Sequence, residues 1–210
     1  MTTDAWSDLD AVPEPRWLEE ADDLARLLLE RALPVRFALA RTPPELEAAF
    51  RLRYRAVVEQ GWRTAPDMPD GLERDEYDDD HAAQIVGWDG PVAVATARVV
   101  PPVPGRLLPT EAAFGIVAEP VGQVADAGRL IVAPESRDGT HRVLGGLAAA
   151  IWTTMAGLGF RWVAVAMTEG MASLCSALGF EVAVLGPTQA YWGEERFPAR
   201  LTAPDPRAWR

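Results

Sequence analysis

The stretch VGQVADAGRLIVAPESRDGTHRVLGGLAAAIWTTMAGLGFRWVAVAM, residues 121–167, decides the fold class. Its first part, Val121–Ala133, reads as a strand. Arg142–Leu158 reads as a helix rich in small residues, opened by Asp138-Gly139-Thr140, and Trp162–Met167 as a buried strand. A strand, a helix and a second strand in that order form a β-α-β crossover. Upstream, Ala82–Trp88 and Val92–Val99 are strands joined by Asp89-Gly90, a hairpin signal, so the front half is antiparallel. A parallel crossover beside an antiparallel hairpin predicts a mixed sheet flanked by helices, an α/β (α+β) protein. No GxGxxG follows the first strand, which excludes a doubly wound nucleotide-binding sheet.

Further outward, Val35–Ala40 reads as a strand and Thr42 as the cap of a helix with Pro43, Pro44 and Glu45 in its first turn. Leu46, Ala49, Phe50, Tyr54, Val57 and Val58 then recur at helical spacing. Residues 16–32 form an amphipathic helix with Trp17, Leu24, Leu27 and Leu28 on one face, ended by Pro34 and covering one side of the core. A Pro-rich connection leads to a short helical piece ending at Phe114-Gly115. Glu169–Leu178 is helical with Gly179 as its stop, and Phe180–Leu185 and a last strand near Gln189–Leu201 close the domain. The expected division is an acidic segment and helix over 1–34 and one domain over 35–205.

Composition narrows the function. The chain has 210 residues, 49% of them apolar, enough to bury a core. No run of eighteen apolar residues exists, so no membrane span is expected. Acidic Asp4, Asp8 and Asp10 argue against a secretory signal, and a cytoplasmic protein is expected. The single Cys175 excludes a disulfide framework and a cysteine-built metal site within the chain. All 20 basic residues are arginines, so lysine Schiff-base chemistry and a Walker-type loop are excluded. The net charge is −11, of which residues 1–30 and 67–80 each carry −7, leaving +3 for the rest. Duplex nucleic acid is not an expected partner.

Arg53 falls in the middle of the apolar arc of its helix, and a buried arginine has to be paired. Glu73, Asp75 and Asp78 follow in an acidic, aperiodic loop over Gly61–Asp80; a solvated charged loop is the plain reading of such a run. Arg98 near the end of one strand and Arg129 among apolar residues of another favour an organised site instead. The expected cluster joins Arg53, Arg98 and Arg129 with Asp75, Asp78 and Asp126. Cys175 reads as a small core residue. Gly145, Gly146, Ala148, Ala149 and Ala150 either leave room for an apolar ligand chain or allow close packing.

Together, Leu52-Arg53-Tyr54-Arg55, Trp62, LERDEYDDDHA (72–82), Ala97-Arg98-Val99-Val100-Pro101, Phe114 and Asp126-Ala127-Gly128-Arg129 resemble the acyl-homoserine-lactone synthases. They resemble equally the N-acyl amino acid synthases, both branches of the GNAT acyltransferase superfamily. Leu185-Gly186-Pro187 and Tyr191-Trp192-Gly193 fit the same group, and the likeness spans about residues 45–200. It implies a single GNAT-type domain with a splayed central sheet and an extra N-terminal helix.

The resemblance also implies transfer of an acyl group from a phosphopantetheine thioester, on acyl carrier protein or coenzyme A, to a small-molecule amine. No tightly bound cofactor and no metal is implied. Asp126 stands where the family usually has Glu; it is either the base that takes the amine proton or a structural partner of Arg129. Backbone N–H groups of Leu130, Ile131 and Val132 would polarise the thioester carbonyl. Arg53, Trp62, Glu73, Asp75, Asp78, Arg98 and Phe114 would hold the acceptor, its carboxylate on Arg53 or Arg98.

Arg137, Gly139, Thr140, His141 and Arg142 stand where the superfamily has a glycine-rich pyrophosphate loop, with only one glycine kept. Free N–H groups at the helix start would hold a phosphate there, and the surface around Arg137 and Arg142 is expected to be basic and to attract an acidic carrier protein. Gly128 replaces the Ser usual in the family motif and Leu130 replaces Phe, which favours an N-acyl amino acid synthase over a lactone synthase using S-adenosylmethionine. An acetyl-coenzyme A acetyltransferase and a non-catalytic acyl- or carrier-binding relative are the remaining alternatives.

Overall fold

The computed structural model describes residues 16–79, 81–177 and 180–202. Its strands are β1 (Arg36–Leu39), β2 (Ala83–Asp89), β3 (Val92–Val100), β4 (Val124–Val132), β5 (Trp162–Met167), β6 (Glu181–Val184), β7 (Gln189–Tyr191) and β8 (Glu194–Thr202). The helices are α1 (Arg16–Arg31), α2 (Pro43–Glu59), α3 (Pro109–Phe114), α4 (Arg142–Gly157) and α5 (Glu169–Ala177). The strands lie in the order β1-β2-β3-β4-β5-β8-β6, with β7 paired to β8. Every pairing is antiparallel except β4 with β5, the pair joined by the crossover through α4. The mixed sheet and its helices are as expected.

Local chemistry explains the elements. Pro43 and Pro44 occupy the first turn of α2, and the Glu45 carboxylate accepts from the Thr42 N–H at 2.9 Å. Gly90 takes φ 55 in the two-residue connection between β2 and β3. Side chains then alternate across the sheet. Gln84, Val86 and Arg98 face α2, where Val86 packs with Ala49 and Phe50. Gly87 and Ala95 face α4 with Phe37.

Three expectations are corrected. The strand placed at Val121–Ala133 begins at Val124, because Gly122 takes φ 76 in a turn that the Gln123 N–H closes on Pro120 O. The last strand is two, since Trp192 and Gly193 at φ 52 and 70 form a two-residue turn between β7 and β8. Along α1 the buried face centres on Ala25, Leu28 and Leu29 against Ala149 and Trp152 of α4, whereas Leu27 is exposed. The side chain of Trp17, and Gly179, lie outside the described residues.

The sheet opens at its centre. Parallel pairing of β4 with β5 covers only Val124–Asp126 against Trp162–Ala164, while β5 keeps β8 along its whole length. Just beyond Asp126, β4 carries a bulge. Thr96 pairs with Ile131 but Arg98 pairs with Gly128, which puts one extra residue in β4. Arg129 at that point takes φ 56. β4 therefore bends away from β5 and leaves a wedge.

The small residues of α4 serve close packing. A Cβ added to Gly146 would lie 2.6 Å from Ala32 Cβ and 2.6 Å from the Phe37 ring. Gly146→Ala should thus lower the urea midpoint, by about 1–3 kcal/mol of overpacking less about 1 kcal/mol of helix propensity gained. An unchanged or raised midpoint at constant m-value would show that the α1–α4 seam is loose.

Candidate active site

Three arginines from three elements meet three acids from one loop. Arg53 on α2 is fully buried; its Nε donates to Glu73 Oε2 at 2.5 Å, and Nη1 and Nη2 donate to the two Asp78 oxygens at 2.9 and 2.8 Å. Arg98 on β3 donates to both Asp75 oxygens at 2.5 and 3.1 Å and stands 2.9 Å from Asp78. Arg129 at the bulge donates from Nε to Glu73 at 3.1 Å and from Nη2 to Asp75 at 2.7 Å. Each carboxylate thus bridges two guanidinium groups, in the closed order Arg53, Glu73, Arg129, Asp75, Arg98, Asp78. Three charges of each sign cancel, the condition under which buried ions are tolerable.

The loop gains its shape from the same acids. Asp78 accepts from the Asp75 N–H at 2.8 Å, and Asp75 accepts from the Tyr77 N–H at 2.9 Å. The Glu73 N–H binds Phe50 O at 3.1 Å, pinning the loop to α2. Burial alone would raise Asp78, but hydrogen bonds from Arg53 and the charge of Arg98 hold it far below the usual carboxylate range. Asp75 shows the same balance, with Arg98 and then Arg129 outweighing burial.

Asp126 is not a member of the ring, contrary to expectation, and it does not pair with Arg129. It is the last β4 residue paired with β5, 2% exposed, and its carboxylate accepts the Thr110 N–H at the start of α3 at 2.8 Å. Burial pushes it up to about 6, with the Thr110 hydrogen bonds only partly opposing. A Cβ on Gly128 would meet only Asp126 Oδ1, at 3.9 Å, so the missing side chain leaves space beside this acid.

Around the ring lies an aromatic wall. The Trp192 indole covers Arg129, guanidinium to ring centre 4.4 Å, and Arg63 covers the same indole at 5.2 Å. Phe114 packs on Tyr191 at 5.3 Å between centroids. Trp62 lies under the β7–β8 turn, where a Cβ on Gly193 would be 2.4 Å from the indole. Sequence reasoning missed Tyr77, which is held between Arg106 at 4.5 Å and Arg98 at 5.8 Å. An aromatic inside a charge run was the available signal. It also missed the Thr110 amide, for which a backbone group leaves no signal.

On the other side of the bulge, Ala133 N–H donates to Val94 O at 2.8 Å. By antiparallel alternation Val132 turns its backbone groups away from β3, and its carbonyl accepts Arg137 Nε at 2.9 Å. A cavity of about 200 Å³ there is lined by Val132, Ser136, Arg137, Asp138, His141 and Leu144 among others. Three of the expected donor-side residues, Val132, Arg137 and His141, thus share one cavity, whereas Ile131 is buried and does not line it. Two related expectations are corrected. The Thr140 and Arg142 N–H groups are not free but donate to the Asp138 carboxylate at 3.0 and 3.4 Å. Nor is the surface simply basic, since Arg142 pairs with Asp138 at 2.7 Å and Arg55 with Glu135 at 2.9 Å.

Among the described residues, no group of three or more His, Cys, Asp or Glu side chains could hold a metal ion, and no helix is long and apolar enough to cross a membrane. Cys175, expected in the core, is only partly buried and packs against the cluster of Met167, Phe197 and Ala199.

Replacing one ring member strands its partners. Arg53→Met should cost about 3–5 kcal/mol in urea unfolding at neutral pH, because Glu73 and Asp78 stay buried with half their counter-charge. For the depressed carboxylates, the stabilisation is complete above pH about 4 and is lost as pH falls through their lowered values. The variant should show a flatter loss of stability below pH about 4. A cost below about 1 kcal/mol would mean that the ring is an incidental surface network.

Comparison with known proteins adds the family context. Residues 52–145 match the acetyltransferase (GNAT) domain. The CoA-dependent acyl-homoserine lactone synthase BjaI, in its structure with SAM and isopentyl-CoA, is 26% identical over 75% of each chain with a TM-score of 0.59. MesI, another CoA-dependent acyl-homoserine lactone synthase, shares the fold at 23% identity, 83% of this chain, 95% of its own and a TM-score of 0.67. So does FeeM, an N-acyl amino acid synthase from uncultured soil microbes, at 16% identity, 83% and 94% coverage and a TM-score of 0.59. With that domain at its centre and a sheet that opens beside a buried acid, the chain is an acyltransferase built on the GNAT fold.

Proposed function

We propose that the chain transfers an acyl group from a phosphopantetheine thioester to the amine of an amino acid or a related small molecule, with Asp126 as the proton acceptor. The observation that carries this reading is a buried carboxyl that forms no ion pair among the described residues, raised to about 6, at the residue where β4 leaves β5. A base with that value is ionised at neutral pH yet still accepts a proton readily. The neutral amine attacks the thioester carbon, the C–N bond forms, the sulfur leaves with the bonding pair, and Asp126 removes the amine proton. The backbone N–H of Val132, turned away from β3 past the bulge, would stabilise the negative oxygen of the intermediate.

The acceptor class follows from what the ring leaves accessible. Arg53, Arg98, Glu73 and Asp78 side chains are at most 1% exposed, whereas Asp75 and Arg129 are 21% and 12% exposed. The acceptor carboxylate is therefore assigned to Arg129 rather than to Arg53 or Arg98, and its ammonium to Asp75 before deprotonation. This pair of opposite charges suits a zwitterion. Trp62, Phe114, Tyr191 and Trp192 would enclose the rest of the acceptor. S-adenosylmethionine is the second reading of the acceptor, supported by the 26% identity to BjaI, whose structure contains it.

Asp126→Asn should abolish N-acyl products in mass spectra of expressing bacteria, with about 10²-fold or greater loss in kcat/KM. The Asn can still accept the Thr110 N–H, so folding should persist. Wild-type kcat/KM should rise with pH through about 6 and then level off. The raised carboxyl also makes the ionised form a cost to folding, so wild type should gain stability over the variant as pH falls from 7 towards 5. Retention of more than a tenth of the activity by the variant would remove Asp126 from the mechanism.

A further inference from the structure

Two guanidinium groups touch the Trp192 indole of the aromatic wall, and their charges are answered differently. Arg129, 4.4 Å from the ring centre, belongs to the charged ring and pairs with Glu73 and Asp75. Arg63, at 5.2 Å, is exposed and forms no ion pair among the described residues. Asp67 commits its carboxylate elsewhere. Its Oδ2 accepts the Thr64 hydroxyl at 2.7 Å and the Thr64 N–H at 3.1 Å, and these bonds, more than the charge of Arg63, hold it low. Arg196, which covers Trp62 at 5.4 Å, is matched by Glu194 at 2.7 Å. Arg63 is therefore the cation of this wall to which no acid of the described residues is bonded.

The wall holds this guanidinium from both sides of its stack. The Trp62 and Arg63 N–H groups turn back on Val57 O at 2.9 and 3.4 Å, which fixes the chain where it leaves α2. Trp192 takes φ 52 in the β7–β8 turn, and the Gly193 of that turn lies on Trp62. An arginine stacked on an aromatic face keeps its N–H edge available and has already lost much of its freedom. It binds an anion at a smaller entropic cost than a freely solvated one. The two centroid distances keep Arg63 and Arg129 within about 10 Å of each other, near the screening length at physiological salt. One small molecule can meet both.

The acceptor assignment above uses Arg129 for a carboxylate and Asp75 for an ammonium, inside a ring whose charges cancel. A plain zwitterion satisfies those two and leaves Arg63 unanswered. Resting on the acyl-transfer reading, we infer that Arg63 is a specificity-determining residue that binds a second anionic group of the acceptor, so that the amine belongs to an amino acid with a carboxylate or phosphate on its side chain. Such an acceptor is net negative. The same residue works against a cationic one, since a sulfonium brought to this wall meets like charge.

Acceptor pairs that differ chiefly in side-chain charge test this: glutamate against glutamine, aspartate against asparagine, and O-phosphoserine against serine. Each is titrated by calorimetry into the full chain and then offered in transfer assays with one thioester. Wild type should favour the acid of at least one pair by about tenfold or more in Kd and in kcat/KM, and the preference should shrink as salt is raised. Which pair shows it distinguishes carboxylate from phosphate. Arg63→Gln should cut that preference to about twofold or less, through KM for the acid rather than kcat. Arg63→Lys, which keeps the charge, should retain more of it. Wild type that binds each acid no better than its neutral counterpart overturns the inference. So does an Arg63→Gln protein that folds, by its circular dichroism melt, and keeps the full preference, or one that changes only the KM of the thioester. The wild-type comparison decides alone if the variant does not fold. Selective binding of the acids without acylation of any amine from any thioester would instead count against the acyl-transfer reading and leave the anion site at Arg63 standing.

Discussion

One extra residue in β4 organises the rest of the molecule. At Arg129 the backbone turns to φ 56, a conformation that costs about 1–3 kcal/mol for a residue with a side chain. That turn ends the register with β3 for one step and bends β4 off β5 after three paired residues. It also aims the Arg129 guanidinium at Glu73 and Asp75, beneath the Trp192 indole. Opening of the sheet and closure of the charged ring are therefore two outcomes of the same backbone event. The strain is held in place by the three partners that the arginine gains, Glu73, Asp75 and Trp192.

The two faces of the opened sheet have different chemistry. On the α2 and α3 side lie the ring, the aromatic wall and Asp126, which forms no ion pair among the described residues. On the α4 side lie Val132, His141 and Leu144 around a mostly apolar cavity. A thioester carbonyl delivered between β4 and β5 would face both. The separation also explains why the ring and Asp126 differ so sharply in acidity: Asp78 sits against two guanidinium groups, whereas Asp126 is buried with only the Thr110 hydrogen bonds and the more distant charges of Arg98 and Arg129 to oppose its burial.

Much of this was legible in the sequence because it depended on local pattern. Strand and helix periods, the Thr42–Glu45 cap and the β2–β3 turn all came from neighbours within a few residues. Arg53 stood out because an arginine in an apolar arc demands a partner, and the acidic loop twenty residues on supplied it. What could not be read depended on three-dimensional register. Asp126 and Glu73 exchanged roles relative to the expected cluster, since which acid reaches which arginine is set by the bulge, not by spacing. The Asp138 carboxylate closing on its own helix start was hidden for a related reason. A Gly-Thr pair after an acid reads equally as an open anion seat or as one already filled.

A closed ring of alternating charge has a consequence for how such a chain can change over time. Every member neutralises two neighbours, so any single charge-changing substitution at Arg53, Glu73, Asp75, Asp78, Arg98 or Arg129 leaves the ring unbalanced. Lysine is a poor stand-in, because one ammonium does not present the planar fork that lets a guanidinium span two carboxylates. Viable paths through sequence space must alter members in compensating pairs or leave all six alone. The surrounding aromatic wall, by contrast, can drift one residue at a time. If the wall encloses the acceptor as proposed, acceptor preference is free to diversify around a charged frame that is inherited whole.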